Sequence, residues 1–120
     1  MNIGNTGKEG EKRVAIFLRK HGYNIVKRNF QCRYGEIDII AENNEYILFV
    51  EVKTRKEGAL ISGMDAVESH KQSRLTLAAQ DYMARTRCEK QPRFDVAEVT
   101  VFEKDDGEIG YNLKYLANAF

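Results

Sequence analysis

Apolar residues recur along this chain with two different periods, and each period predicts one kind of element. In two stretches they return every three or four positions, which is the period of a helix with one buried face. In other stretches they alternate with polar residues, which is the period of a strand with one buried face. Helices are therefore predicted at about 7–21 and 64–85, and strands at 23–30, 35–41, 49–55, 93–102 and, as a short edge strand, 111–115.

The order of these elements predicts an α/β fold. The first three strands follow one another through short turns and form a meander, whereas the long second helix separates the third strand from the fourth. A helical crossover joins parallel strands, so the fourth strand is expected beside the third. We expect one domain over residues 1–120 in αβββαβ order, with a mixed sheet of four or five strands and one helix packed on each face.

Charged residues interrupt the second and third predicted strands. The second contains Glu36 and Asp38, and the third contains Glu51 and Lys53, all within otherwise apolar sequence. A hairpin that turns symmetrically in the Asn-rich segment between them sets Glu36 opposite Glu51 and Asp38 opposite Phe49. This register places the four charged residues on one face of the sheet, where Asp38 and Glu51 could bind one ion between them.

The chemistry of such a face follows from its charges. Carboxylates this close repel one another, and a cation or a proton relieves the repulsion. Mg²⁺, or Mn²⁺ in its place, is the expected cation, because Mg²⁺ accepts one or two carboxylates together with phosphate oxygens and water. Lys53 could orient or help to deprotonate an attacking water, which predicts phosphodiester hydrolysis. The alternative is a cross-strand Glu–Lys network on a half-exposed sheet.

A fourth acid is predicted to join this face from the first helix. Glu11 lies one turn before Val14 on the apolar stripe of that helix, so it is expected to point toward the sheet. The alternative is an acid on the surface that the helix dipole favours, and Glu9 fits that description better. Glu11 is therefore the better candidate for the site.

These residues resemble a known active-site pattern. Asp38, followed after a hairpin by Glu51-Val52-Lys53, is similar to the PD-(D/E)XK nuclease superfamily, which includes restriction endonucleases and archaeal Holliday-junction resolvases. The closer resemblance is to the YraN-like family of uncharacterised small bacterial proteins. It covers nearly the whole chain and rests on Gly10-Glu11, Leu18, Gly22-Tyr23, Arg28-Asn29-Phe30, Gly35-Glu36-Ile37-Asp38, the run from Phe49 to Arg55, Lys71 and Arg93-Phe94-Asp95-Val96.

The resemblance implies a restriction endonuclease-like fold and a set of active-site positions. Glu11, Asp38, Glu51 and Lys53 correspond to that set, and the main-chain carbonyl of Val52 is implied as a further metal ligand. Ile37 stands where the name of the superfamily has proline, a position that is often replaced within it.

Net charge is the main argument against a nucleic-acid partner. A formal charge of +1 and a pI near 7.7 lack the strong basic character of a tight duplex binder. The charge is uneven, however, because residues 1–60 carry eleven Lys and Arg against eight Asp and Glu (+3), and residues 61–120 carry eight against ten (−2). The basic residues that could contact phosphates are Arg28, Arg33, Arg55, Lys56 and Lys71; for Lys71, a side chain that reaches out to solvent is an equal alternative.

Other features of the sequence bear on compartment and on the remaining reactive side chains. No signal-peptide pattern opens the chain and no apolar run approaches the ~18 residues of a membrane span, so a cytoplasmic protein without a membrane partner is expected. Cys32 and Cys88 lack metal-ligand spacing and are expected to be reduced structural thiols. His21 and His70 have no partner at catalytic or zinc spacing and are expected to be structural or surface residues.

Together these features predict a Mg²⁺- or Mn²⁺-dependent endonuclease that acts on DNA in preference to RNA, with branched or otherwise structured DNA among its candidate substrates. Two alternatives stay open: a nucleic-acid-binding module of the same fold without useful catalysis, and an accessory protein whose acidic face docks a partner. A chain of this size offers one active site, so cutting both strands of a duplex calls for a homodimer, which the sequence does not establish.

Overall fold

The computed structural model of the protein describes residues 6–58 and 69–120. Its elements are α1 (Thr6–Lys20), β1 (Asn24–Cys32), β2 (Gly35–Glu42), β3 (Tyr46–Lys56), α2 (Ser69–Thr86), β4 (Gln91–Glu103) and β5 (Ile109–Leu116). Every predicted element is present within a few residues of its expected bounds. The predicted start of the second helix at 64–68, and residues 59–63 before it, lie outside the described residues.

The five strands form one mixed sheet in the order β1-β2-β3-β4-β5. Strands β3 and β4 pair in parallel, as expected of strands joined by a helical crossover, and the other three pairs are antiparallel. The predicted α/β class, sheet and strand order are thereby confirmed. The architecture is compatible with a restriction endonuclease-like core.

Each face of the sheet packs against one helix. Strand β3 is apolar in an unbroken run because both of its faces are covered, with Leu48 and Val50 toward α1 and Ile47 and Phe49 toward α2. The α1-side core consists of Val14, Ala15, Leu18, Ile39, Ala41, Leu48, Val50, Ala97 and Val99. The α2-side core consists of Phe30, Ile37, Ile40, Ile47, Phe49, Leu75, Ala78, Ala79 and Tyr82.

The register between β2 and β3 differs by two residues from the one that the sequence predicted. Phe49 pairs with Ile40 and not with Asp38, and the last pair toward the charged end is Ile39 with Val50. The side chain of Asn43 causes the shift, because its Oδ1 accepts the N–H groups of the two residues that follow Asn44, at 2.9 and 2.7 Å. The predicted pairing of Glu36 with Glu51 was therefore wrong, but a shift of two preserves which residues share a face.

Two further expectations concern the cysteines and the helices. Cys32 and Cys88 are free and half-buried at the edge of the α2-side core, as predicted of structural thiols. Within residues 6–58 and 69–120, neither helix combines the length and the apolar character that crossing a membrane would require.

Candidate active site

The candidate site begins where β2 and β3 separate. Their pairing ends at Ile39 and Val50, so the backbone of β3 beyond that point has no partner on β2. The carboxylate of Asp38 takes that place, since its Oδ2 accepts the N–H of Val52 at 2.8 Å. This contact holds Asp38 beside Glu51, the residue that precedes Val52.

Asp38 lies in an environment that opposes its ionisation. Burial raises its pKa to about 7, with a further contribution from the charge of Glu51 and smaller ones from Glu11 and Glu36. The hydrogen bond from Val52 acts in the opposite direction and is outweighed. A half-buried carboxylate with other carboxylates around it is a group that a cation would stabilise.

Glu51 is the most buried acid of the site, with 6% of its surface exposed, and two lysines contact it. Lys71 donates a hydrogen bond to Glu51 Oε1, and the Nζ of Lys53 lies 3.2 Å from the same oxygen. Burial lowers the pKa of Lys53. Partial burial would also lower the pKa of Lys71, but its contact with Glu51 raises it instead. Of the two interpretations that the sequence left for Lys71, the side chain thus adopts the one that reaches the site.

Glu11 approaches the site from the start of α1, which packs tightly on β3. Gly10 is buried against Thr54, and a Cβ at this position would collide with the Thr54 hydroxyl, so the helix can come this close only with glycine. Burial raises the pKa of Glu11, although Arg28, with its Nη2 3.9 Å from Glu11 Oε1, partly opposes the shift. Among the described residues, that Oε1 is buried without a hydrogen-bond partner, and it is the kind of atom that a bound cation would satisfy.

A cavity of about 360 Å³ opens above these acids, between the sheet and the first turns of α2, and we call it the site cavity. Its lining includes Glu36, Asp38 and Glu51, which the sequence placed on one face of the sheet, and the predicted Lys71. It also includes three side chains that sequence reasoning did not place in the site, namely Tyr34, His70 and Arg74.

His70 is exposed as expected, yet it lines the cavity instead of lying apart from it. Spacing could have revealed it, because His70 and Arg74 are four residues apart and flank Lys71 on the same helix.

The basic residues predicted to contact phosphates have different locations. Arg28 lies next to Glu11, and Arg33 is at the tip of the β1–β2 hairpin. Arg55 follows Lys53 on the same face of β3, whereas Lys56 is exposed on the opposite face. The structure thus brings Lys71 into the site and Arg28 and Arg55 to its borders, but it does not bring Lys56 there.

The residues present suit a magnesium-like ion better than a metal that needs a dense ligand cage. Within residues 6–58 and 69–120, no group of three or more His, Cys, Asp or Glu side chains forms a ready metal site. Asp38 and Glu51 supply two carboxylates. The Val52 carbonyl points to the same side of β3 as the Val52 N–H, which is the side where Asp38 lies. Two carboxylates, a carbonyl and water form a set that Mg²⁺ accepts.

Comparison with known proteins finds a family whose members are similar to this chain. A family model described as "Uncharacterised protein family UPF0102" matches residues 10–99. A UPF0102 protein of Clostridium acetobutylicum is 42% identical over 115 residues, which are 95% of this chain and 92% of the relative. A UPF0102 protein of Caldanaerobacter subterraneus subsp. tengcongensis is 44% identical over 100 residues, 82% of each chain. A third, of Caldicellulosiruptor saccharolyticus, is 37% identical over the full length of both chains.

Proposed function

Because the chain belongs to the uncharacterised protein family UPF0102, no activity comes with its family, and we propose from the site itself that it is a metal-dependent endonuclease acting on DNA. Family membership confirms the YraN-like resemblance. The reaction proposed is hydrolysis of a phosphodiester bond, with Mg²⁺ or Mn²⁺ as the cofactor.

One observation supports this proposal most strongly: two acids, the half-buried Asp38 and the buried Glu51, lie together at the point where β2 and β3 stop pairing. Burial and the charge of Glu51 raise the pKa of Asp38 to about 7, so ionisation of Asp38 is unfavourable unless a cation binds beside it. A protein that used this gap for stability alone would gain more from apolar side chains. The gap is therefore better explained as a binding site for a positive ion.

The roles of the residues follow from their positions. Asp38, Glu51 and the Val52 carbonyl would hold the metal, and Glu11 would add negative charge from α1. The metal, when bound, would activate a water and offset charge on the phosphate in the transition state. Lys53, with its pKa lowered by burial, is placed beside Glu51 to orient that water or to exchange a proton with it. Lys71 lies at the same carboxylate and could contact the scissile phosphate.

The basic residues around the cavity favour a substrate with a phosphate backbone. Lys71 and Arg74 lie on α2 and line the cavity on one side of the acids. Arg28 lies beside Glu11 on another side of them. Cations placed beside a metal site suit a polyanion whose cleaved bond lies at the metal. DNA is proposed in preference to RNA, with branched or structured forms among its candidates. A homodimer would be needed to cut both strands of a duplex, and a cytoplasmic location fits a DNA substrate.

Cleavage of labelled DNA tests this proposal. Duplex, single-stranded and four-way-junction DNA would be incubated with the protein in Mg²⁺, Mn²⁺ or EDTA. We expect cleavage in either metal, none in EDTA, and at least a ~100-fold loss of rate in Asp38→Ala and Glu51→Ala, since each removes a ligand of the ion that activates the water.

Glu42→Gln is the matched control, because Glu42 is an acid at the other end of β2, paired with Lys90 at 2.8 Å. It should cut like the wild type. Cutting that persists in Asp38→Ala and Glu51→Ala, or that survives EDTA, would show that the activity belongs to another site or to a contaminant.

A second candidate function is supported by the two lysines on Glu51. Lys53 and Lys71 already balance the charge of this acid, as they would in a nucleic-acid-binding module that has no use for a metal. Tight and structure-selective DNA binding without cleavage in any metal would favour this module. Neither binding nor cleavage would favour an accessory protein whose acidic face docks a partner.

A further inference from the structure

A second depression adjoins the site cavity, and the proposed nuclease chemistry does not use it. It measures about 390 Å³ and is lined by Cys32, Arg33, Tyr34, Gly35, Arg74 and Leu77. We call it the hairpin pocket, because four of these residues belong to the β1–β2 hairpin. Tyr34, Gly35 and Arg74 line both cavities, so the two form one continuous surface.

The two cavities differ in charge. The site cavity has acids on its floor, whereas the described lining of the hairpin pocket contains two arginines and no acid. Its apolar part includes Leu77, which is 43% exposed on α2. An apolar surface edged by two guanidinium groups matches a nucleotide, which has a flat base and an anionic phosphate.

Tyr34 lines the hairpin pocket and is the only aromatic residue in its described lining. It lies in a two-residue loop, since Cys32 pairs with Gly35 on either side of Arg33 and Tyr34. Part of the ring packs on the α2-side core, and its hydroxyl accepts a hydrogen bond of 2.6 Å from Arg33 Nη2. The Arg33 guanidinium lies 4.8 Å from the ring centroid. A ring held in this way loses little freedom when it binds a ligand.

We propose that the hairpin pocket binds one unpaired nucleotide of the DNA, next to the phosphate that lies in the site cavity. This inference rests on the proposed function, because it takes the substrate of the site to be DNA. The base stacks on Tyr34 and contacts Leu77, while Arg74, which borders both cavities, contacts the phosphate between them. A base can reach such a pocket only when it is unstacked, so the protein should prefer DNA with an unpaired nucleotide at the cleavage point over a continuous duplex.

Binding measured in EDTA tests the pocket separately from catalysis. Fluorescence anisotropy would compare a blunt duplex with the same duplex carrying a short single-stranded flap. The wild type should bind the flapped DNA about tenfold more tightly, which is the contribution of one stacked base. Tyr34→Ala should abolish this preference, and Tyr34→Phe, which keeps the ring and loses the hydroxyl, should retain most of it.

Two further variants test the pocket even if Tyr34→Ala fails to fold. Leu77→Glu changes an exposed side chain, so it should fold normally while its charge repels the nucleotide and removes the preference. Arg74→Ala should weaken binding of both DNAs and reduce the slope of log affinity against log salt by about 1. Arg85→Ala is its control on the same helix, since Arg85 pairs with Asp81 at 2.9 Å and lies outside both cavities.

The outcomes separate this inference from the proposed function. Equal wild-type affinity for blunt and flapped DNA, or a preference that survives both Tyr34→Ala and Leu77→Glu, would overturn the inference even if metal-dependent cleavage is intact. A preference lost in those variants, in a protein that cuts no DNA, would support the pocket and overturn the nuclease proposal alone.

Discussion

Two aspartates on the sheet, Asp38 and Asp95, are both removed from water but have opposite surroundings. Asp95 is fully buried on β4 and is encircled by hydrogen-bond donors. Asp38 is half-buried on β2 and accepts one described hydrogen bond, from Val52. Its charged neighbours are three acids and the ammonium group of Lys71. The first arrangement is complete within the protein, whereas the second leaves charge that something else must neutralise.

Asp95 fastens the C-terminal end of the chain to the sheet. Arg93 binds both of its oxygens, with Nε at 2.9 Å and Nη2 at 2.8 Å, and the Tyr115 hydroxyl donates at 2.5 Å. The N–H of Asn118 donates to Oδ1 at 2.8 Å. The hydrogen bond with Asp95 raises the pKa of Arg93. Burial and then the same carboxylate raise the pKa of Tyr115. A buried charge with a structural role needs hydrogen-bond donors and a counter-charge of this kind.

The two aspartates show how an acid with a structural role differs from an acid in a binding site. The carboxylate of Asp95 is surrounded by hydrogen-bond donors and by the guanidinium of Arg93, which supports a structural role. Around Asp38, burial and Glu51 disfavour the ionised carboxylate, and its charge destabilises the metal-free protein. Destabilising groups of this kind are characteristic of sites that bind or react.

The largest effect on stability is expected from Asp95→Asn. This change leaves the guanidinium of Arg93 without its counter-charge in a mostly buried place, which should lower the free energy of unfolding by about 3 kcal/mol. Urea denaturation measures it. Asp106→Asn is the control, because Asp106 lies exposed in a turn, and it should cost less than ~0.5 kcal/mol. Equal stability of the two variants would refute the structural role of Asp95.

The two regions also differ in how well the sequence predicted them. Alternation placed Asp38, Glu51 and Lys53 on one face, and a register error of two residues did not change that result. On β4, Arg93 and Asp95 are two residues apart and therefore share a face. Alternation could not identify their shared partner Tyr115, because that contact spans two strands whose register depends on the intervening turn.

Residues that enter the site from α2 were the least predictable. Lys71 contacts Glu51 from 20 positions away in the chain, and a helix can place its start over many points of a sheet. His70 and Arg74 reach the cavity for the same reason. Periodicity shows which helical residues face the sheet, but the point of contact is decided by packing of the whole helix on the α2-side core.

A smaller effect, of opposite sign, is expected from Asp38→Asn in EDTA. Asparagine can still accept the Val52 N–H but carries no charge, so the variant should be more stable than the wild type by about 2 kcal/mol at pH 8. Denaturation of both proteins at several pH values measures the difference.

The pH dependence of this difference has a definite sign. The pKa of Asp38 is raised from 3.8 in the unfolded chain to about 7 in the fold, so the folded state binds more protons between these values. The wild type therefore loses stability relative to Asp38→Asn as pH rises from about 4 to about 7, and the gap is constant above that window. A gap that is flat with pH, or that favours the wild type at pH 8, would show that Asp38 is as well satisfied as Asp95.

The smallest effect expected is on metal affinity, in Lys71→Met. The lysine competes with a cation for Glu51, so its removal should tighten Mg²⁺ binding about fivefold, the equivalent of ~1 kcal/mol for a partly exposed pair. Isothermal titration calorimetry in the absence of DNA measures this without reference to activity. Lys90→Met is the matched control, since Lys90 pairs with Glu42 and is 34% exposed against 36% for Lys71.

The direction of the change in Lys71→Met distinguishes a metal site from a closed ion-pair network. If Glu51 is a metal ligand, the lysine and the metal exclude each other, and only the variant at residue 71 gains affinity. If Glu51 is instead a structural acid like Asp95, removing Lys71 leaves a buried charge without its counter-charge, and stability falls with no gain in Mg²⁺ binding. A loss of stability without tighter Mg²⁺ binding would therefore show that Glu51 is a structural acid and not a metal ligand.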